Sequence, residues 1–437
     1  MNDNFLIIAA IILGVIVFLG YMNERLFHMN YEIFLLLGSI ILGGITAGLH
    51  YLFQGSTLHD MLDAVKMLDV ERFLMKGVLC FMLFAGACHM KISQFRKQAR
   101  PVCVMAFVVT GLGTLFYGLL FYGASCLLGL SFSLTEALMF GSIVAPTDPI
   151  AATSILKKFG FPKNTGFLME AESLLNDGVG VALFVVLSGL ATTSSGIEKG
   201  KLLTDLLRNT FGMNGLLMIM VREVFGAVLV CGVVFAVTFF IFDRFKDENL
   251  QIFLSLFAVS LVFCLCDQLG CSGPIACVLY GVLFFSMRGR REKQGRTWDL
   301  EGFDRFWGTV DSLLNSVLYV ILGLTFIRIH MMPHVLLYSG LAILCMLLAR
   351  SASVLTGSYL MGPIPDGFSR RGFTVLFTWG GLRGGLCIAL AMDTATMLPQ
   401  ELYYIVIACT YAIVFFTTVI QGLSIKSVYQ KLHHNTE

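Results

Sequence analysis

The chain has 437 residues, of which 57% are hydrophobic and 13% charged, and 30 basic against 28 acidic side chains leave a net charge of +2. Soluble domains carry roughly 25% charged residues, so a soluble globular protein is excluded, and no basic arm or aromatic-interleaved basic stripe offers nucleic acid a footprint. In lipid, open backbone other than helix leaves amides unsatisfied at a cost of several kcal/mol each, so the expected class is an all-α polytopic membrane protein that forms a single membrane domain, 1–437.

Apolar runs near the ~20 residues of a bilayer-spanning helix predict about thirteen helices, at 5–22, 31–53, 72–90, 101–129, 134–157, 164–190, 217–242, 250–267, 271–288, 306–329, 335–361, 371–393 and 400–424. The first run, Phe5 to Met22, lacks a basic n-region and a small-residue cleavage site, so it reads as a retained span and not a signal peptide. Segment 54–71 is expected to form a surface helix and 191–216 a mobile external loop. Twelve cysteines lie almost entirely inside the apolar runs, where they act as small hydrophobes. The group Cys264, Cys266, Cys271 and Cys277 lacks the Cys-x-x-Cys spacing and the nearby histidine of a metal site, and no cofactor is expected.

Basic residues set the orientation, because cytoplasmic loops carry the excess of lysine and arginine. With the C-terminus cytoplasmic, twenty fall in inner loops, from Arg25 and the Lys91–Arg100 group to Lys426 and Lys431, and eight fall outside. An odd span count with the N-terminus outside keeps this alternation. The remaining two, Arg350 and Arg383, fall within apolar spans and need partners.

Two spans are interrupted. In the fifth, Ala145-Pro146-Thr147-Asp148-Pro149 places two prolines that remove backbone donors and disfavour helix before each. In the twelfth, Trp379-Gly380-Gly381-Leu382-Arg383-Gly384-Gly385 carries four glycines, which weaken helix. The two spans are seven apart and so cross the membrane in opposite directions, as in an inverted-repeat transporter with a midplane substrate site. Each half-helix end carries about half a unit charge. Asp148 is therefore expected to face N-terminal ends and Arg383 to offset C-terminal ones.

The sixth span contains Glu170-Ala171-Glu172-Ser173-Leu174-Leu175-Asn176-Asp177-Gly178. A carboxylate at the centre of a membrane helix costs about 2.5–3.5 kcal/mol on insertion scales, which makes it a functional candidate. Ser173 and Asp177 share one helix face, and Glu172 and Asn176 the adjacent one. A hard, weakly bound cation takes carboxylate, hydroxyl and carbonyl oxygens, and Asp177, Asp148, Thr147 and Ser173 supply that set. The same carboxyl can hold a proton instead, because loss of water disfavours its charged form. Competition for one site, with access changing only when it is occupied, is enough to couple exchange. Glu172 needs a separate partner, and Arg350 is the obvious one.

Those residues carry a resemblance to the cation/proton antiporter-1 family, which includes the NhaP-type antiporters and the eukaryotic sodium/proton exchangers. Thr147-Asp148-Pro149 is similar to its unwound-helix motif and Glu172–Gly178 to its signature. Ser272-Gly273-Pro274, Phe306-Trp307 through Asn315 to Gly323, Arg350 with Ser353-Val354, and Trp379–Gly385 match further along the chain. The resemblance implies a thirteen-helix fold and a homodimer in the plasma membrane. It implies core halves at 101–190 and 335–424 moving against dimerisation helices at 1–100 and 217–330, with a short cytoplasmic tail at 425–437. It further implies that Asp177 binds the ion and the proton, helped by Thr147, Asp148 and Ser173, that Glu172 and Arg350 form a structural pair, and that Asn176 marks electroneutral, one-for-one exchange. One departure stands out: many members place an acid in the third span, where this chain has Phe84-Ala85-Gly86-Ala87, which leaves the ion path and the preference among Na⁺, Li⁺ and K⁺ open.

Glu136, Asp267 and Asp393 lie near span ends and are expected to face water, His89 is a candidate pH sensor, and Asp311 lies deep in the tenth span without an assigned role. A cation channel lined by Asp148 and Asp177 and an intramembrane protease are the competing classes. The second lacks a Gly-x-Gly-Asp setting and leaves Glu172 with Arg350 unexplained, so a non-enzymatic transporter is expected.

Overall fold

The computed structural model describes residues 5–52, 78–88, 92–148, 150–157, 159–194, 216–242, 244, 247–292, 301–325 and 334–434. They form thirteen spans: α1 (Phe5–Met22), α2 (Tyr31–Leu52), α3 (Leu79–Cys88), α4 (Ala99–Leu127), α5 (Leu134–Val144 and Ile150–Lys157), α6 (Lys163–Ser194), α7 (Leu216–Phe242), α8 (Glu248–Leu269), α9 (Gly273–Glu292), α10 (Glu301–Thr325), α11 (Val335–Leu360), α12 (Arg370–Trp379 and Gly385–Asp393) and α13 (Gln400–Phe415, running on through Gly422–His434). No strand occurs among the described residues. Among the described residues, eight helices are long and apolar enough to cross a membrane, and five shorter apolar ones accompany them.

Two corrections to the sequence reading concern helix ends. The helix of the last span continues past 424 to His434, through most of the 425–437 segment. Ile425, Tyr429 and Leu432 recur at helical spacing, and the first two are buried in a cluster with Leu156 and Phe161. Lys426 lies 4.2 Å over the Phe159 ring. The sixth span is longer than expected, reaching Ser194. The expected surface helix at 54–71, most of the loop at 191–216, and His89 lie outside the described residues.

Without a hydrophobic drive between helices, lipid-embedded helices associate through close packing and polar contacts. One group comprises α1–α3 and α7–α10 and centres on Trp307 of α10. This ring lies 4.6 Å from Phe84 of α3 in an edge-to-face pair, and its Nε1–H donates to Ser255 Oγ of α8 at 3.1 Å. Such aromatic pairs contribute about 0.5–1.5 kcal/mol beyond area burial. The second group comprises α4–α6 and α11–α13, with α4 packed on both α5 and α11. Tyr117, Phe121 and Phe140 stack between α4 and the first half of α5. The groups meet where α6 lies on α7 and α9, and where α10 touches the second half of α12.

Local signals end the helices. Ser133 and Glu136 form a reciprocal capping box at the start of α5, which satisfies two orphan N–H groups. Glu136 and Asp393 are half-buried and Asp267 is exposed. Gly270, at φ 66°, closes α8 in the left-handed region that glycine enters without strain.

The start of α6 is capped from far away in sequence. Asp366 sits in the turn between α11 and α12, and its Oδ2 accepts from the Thr165 N–H at 2.8 Å and the Thr165 hydroxyl at 2.7 Å, while Oδ1 accepts from Asn164 Nδ2 at 2.8 Å. A carboxylate there satisfies one of the first unpaired amides of α6 and meets the positive end of its dipole. Asp366→Ala is expected to lower stability by about 1–2 kcal/mol, read as a lower melting midpoint of the purified protein in detergent. An unchanged midpoint would show that the cap contributes nothing.

Candidate ion-binding site

The α5 break exposes backbone groups that lipid cannot satisfy, and α6 and α12 supply their partners. The Thr147 N–H donates to Asn176 Oδ1 at 3.3 Å, Asn176 Nδ2 donates to Thr147 Oγ1 at 2.8 Å, and Ser173 Oγ donates to the Thr147 carbonyl. The Asp148 N–H donates to the Leu382 carbonyl in the α12 break at 2.8 Å. Arg383 Nη1 donates to the Pro146 carbonyl at 3.1 Å, where a cation offsets the negative C-terminal end of the first α5 half. The two interruptions are thus hydrogen-bonded to each other.

The α12 break is held by α13. Arg383 N–H donates to Thr417 Oγ1 at 3.0 Å, and Thr418 Oγ1 donates to the Arg383 carbonyl at 3.4 Å. These threonines sit in a stretch of α13, Phe416–Gln421, wound more widely than an α-helix, a feature frequent at functional sites. Neither was singled out from the sequence, where the sole signal was a Thr-Thr pair inside an apolar span. Gly384 allows the approach to α5: a Cβ there would lie 3.0 Å from both Cβ and Oδ2 of Asp148.

A cavity of about 690 Å³ ends at this crossing, and Thr147, Asp148, Ser173 and Asp177 all line it. It reaches the surface past Gln94, Lys163 and the exposed pair Lys157–Glu170, whose Nζ···Oε1 distance is 2.5 Å. That is the side on which the end of α13 packs against the second half of α5. The backbone at Gly384 and Gly385, which begins the second half of α12, also lines the cavity beside Asp148, so a helix N-terminus with its positive partial charge faces the acid. Tyr319 of α10, buried and absent from the sequence reading, donates its hydroxyl to Asp148 Oδ2 at 3.2 Å.

The four supporting residues lie behind the break and do not line the cavity. Glu172 Oε1 is 2.7 Å from Arg350 Nη1, with the two side chains 1% and 4% exposed, and Arg350 Nε donates to the Phe377 carbonyl at 3.3 Å. This pair links α6 to α11 and α12. Asn176, fully buried, positions Thr147, and Arg383 holds the Pro146 carbonyl. Gly86 of α3 lines the cavity without a carboxylate. Opposite the core acids the wall is α10, with Asp311, Asn315 and Leu318. Among the described residues no three His, Cys, Asp or Glu side chains converge as a multidentate metal site. The described cysteines are free thiols.

The chain is 28% identical to the Na⁺/H⁺ antiporter NhaP of Pseudomonas aeruginosa, over 98% of this chain and 96% of that one. It is 30% identical to the Na⁺/H⁺ antiporter NhaH of Halobacillus aidingensis, over 77% of each. Its fold is that of the sodium proton antiporter MjNhaP1 from Methanocaldococcus jannaschii, solved at pH 8, with a TM-score of 0.69 and 20% identity over 98% of this chain and 99% of that one. The description of a transmembrane sodium/hydrogen exchanger fits residues 5–431, and with the crossed broken helices and the acids at their junction, the chain is a multi-pass membrane protein that belongs to the sodium/hydrogen exchanger family.

Proposed function

We propose that the protein is a secondary antiporter that exchanges one Na⁺ or Li⁺ for one proton, with both competing for Asp177. The observation that carries this reading is the placement of Asp177, Asp148, Thr147 and Ser173 at the inner end of one cavity where two interrupted helices cross. These are the hard oxygens that an alkali cation takes, and the two carboxylates are the groups there that hold a proton.

Buried charge supports the one-for-one ratio. Glu172 and Arg350 neutralise one another. Arg383 brings one positive charge against the two carboxylates of Asp148 and Asp177, so the empty site carries one net negative charge. A single Na⁺ or a single proton brings it to zero. Moving an unneutralised charge through low dielectric is costly, which favours the loaded forms in transit and blocks empty return. Neither loaded form moves net charge, so the cycle does not feel the ~2.3 kcal/mol per charge per 100 mV that a membrane potential supplies.

In this reading the α4–α6 and α11–α13 group carries the site between faces against the other helices, in a homodimer of the plasma membrane with its N-terminus outside and its C-terminus cytoplasmic. The cavity then opens to the cytoplasm. No residue transfers a chemical group, and no cofactor takes part.

Reconstitution in liposomes with an internal pH dye tests the proposal, with Na⁺, Li⁺ and K⁺ added in turn and the potential either free or clamped. Cation-driven proton movement, equal at all clamped potentials, is the expected result, and the most effective cation identifies the physiological substrate. A voltage-following current without proton movement would instead indicate a channel.

A further inference from the structure

The cavity has a second polar wall that the exchange described above does not use. Asp311, Asn315 and Tyr319 follow one another at four-residue steps along α10 and share one face of that helix. At 1.5 Å per residue the stripe runs about 12 Å. Its inner end, Tyr319, is hydrogen-bonded to Asp148. Its outer end, Asp311 with Asn315, lines the same cavity.

Asn315 is 6% exposed. Its Nδ2 donates to Asp311 Oδ1 at 3.2 Å and to the Asp311 carbonyl at 3.0 Å, whereas its buried Oδ1 has no hydrogen-bond partner. An ordinary contact between residues four apart accounts for the amide nitrogen. It does not account for a buried amide oxygen left unsatisfied beside a carboxylate on a cavity wall, an arrangement that is unfavourable unless something binds it. Glu32, in the first turn of α2, which packs along α10, lies within electrostatic reach of both Asp311 and Asp148 and adds a buried oxygen, Oε2, that also has no hydrogen-bond partner. The chemistry offered is oxygen acceptors with negative charge, which suits a hard cation. Two ligating side chains on one helix face leave most of its coordination sphere to water, as weak, reversible holding of a monovalent ion requires.

We propose that the Asp311 carboxylate and the Asn315 amide oxygen form a staging site, where a partly hydrated monovalent cation pauses between the cavity mouth and the Asp148–Asp177 pair. The proposal rests on the antiport reading above and deepens it. Because α10 packs chiefly on α2 and α3, a cation held there stays behind when the core group moves. The staging site therefore raises the local cation concentration and the apparent affinity without adding to the ratio of ions exchanged. It also gives the cavity a carboxylate where Gly86 of α3 offers none.

The test is the initial rate of proton movement against NaCl concentration in proteoliposomes, for the wild type, Asp311→Asn, Asn315→Leu and Asp311→Glu, each first shown to be monodisperse by size exclusion. Half-saturating Na⁺ is expected to rise about tenfold in the first two, the low end of what charged clefts supply. Their maximal rates should stay within about twofold, the signature of lost binding rather than lost transport, and Asp311→Glu should return towards the wild type. Equilibrium ²²Na⁺ binding to Asp177→Asn protein should keep a weak component that disappears in Asp177→Asn/Asp311→Asn. Unchanged half-saturation in both Asp311→Asn and Asn315→Leu, in a preparation whose wild type is active, would overturn the staging site. So would a fall in maximal rate at constant half-saturation, which marks a structural role. If the wild type moves no protons with Na⁺ while the Asp311-dependent ²²Na⁺ binding persists, the antiport reading fails and the cation site stands.

Discussion

Asp177→Asn is expected to abolish cation-driven proton movement, taking the liposome signal to background, a loss of at least about 100-fold or roughly 2.7 kcal/mol. The amide is nearly isosteric, so the hydrogen bonds of Asn176 and Ser173 to Thr147 survive and the fold should be retained. What disappears is the carboxylate proposed to accept either a proton or a cation. Charge also predicts the manner of failure: with Asp177 neutral, Asp148 and Arg383 balance, so the empty core is already uncharged and gains nothing from cargo. The matching control is Glu170→Gln. Glu170 lines the mouth of the same cavity but is exposed and paired with Lys157, and exposed pairs contribute about 0–1 kcal/mol. Its loss should leave exchange nearly unchanged. Robust Na⁺-driven proton movement in Asp177→Asn would remove Asp177 from the centre of the mechanism.

Glu172→Gln should have the largest effect on stability. It leaves the Arg350 guanidinium in an environment where it is 4% exposed, without its carboxylate partner and with the Phe377 carbonyl still in contact. Removing one partner of a buried pair costs about 3–5 kcal/mol, chiefly through the stranded charge. The expected result is a sharp fall in folded yield and melting midpoint. Arg350→Gln should behave similarly, and the double variant Glu172→Gln/Arg350→Gln should be less damaged than the two losses added together, because no buried charge then remains. Additive losses in this cycle would show that the two side chains do not act as a pair.

These two predictions separate the acids of α6 by role. Asp177 lines the cavity. Glu172, five residues earlier, turns away from it and ties α6 to α11 and α12. Helical spacing alone placed them on different faces, because a five-residue step does not return to the same side of a helix. That spacing could not say which face meets the cavity; the packing of α6 against the α5 break decided it.

Other elements were legible to different degrees. The thirteen spans follow from hydropathy because lipid forbids most alternatives, and the two breaks follow from proline and glycine chemistry at identifiable positions. The run of helix past 424 in α13 has only the spacing of Ile425, Tyr429 and Leu432 to signal it, and the packing of Ile425 and Tyr429 with Phe161 and Leu156 is set by the tertiary structure. The capping box of Ser133 and Glu136 is a local pattern present in the sequence. Tyr319, Thr417 and Thr418 had no comparable signal. Each is an ordinary residue in an apolar span, made important by which broken backbone or carboxylate it reaches.

The sequence by itself determined that this is a helical membrane protein, where its helices are interrupted, and which carboxylates and arginines lipid would not tolerate without purpose, since those are consequences of one-dimensional composition in a solvent without hydrogen bonds. Only the tertiary structure decided that the two breaks satisfy one another, that Asp148 is held by a tyrosine of α10, and that Asp311 and Asn315 share the cavity with the core acids. Those contacts join residues more than a hundred positions apart, and nothing in local spacing or hydropathy specifies which distant hydroxyl or carbonyl will complete a broken helix.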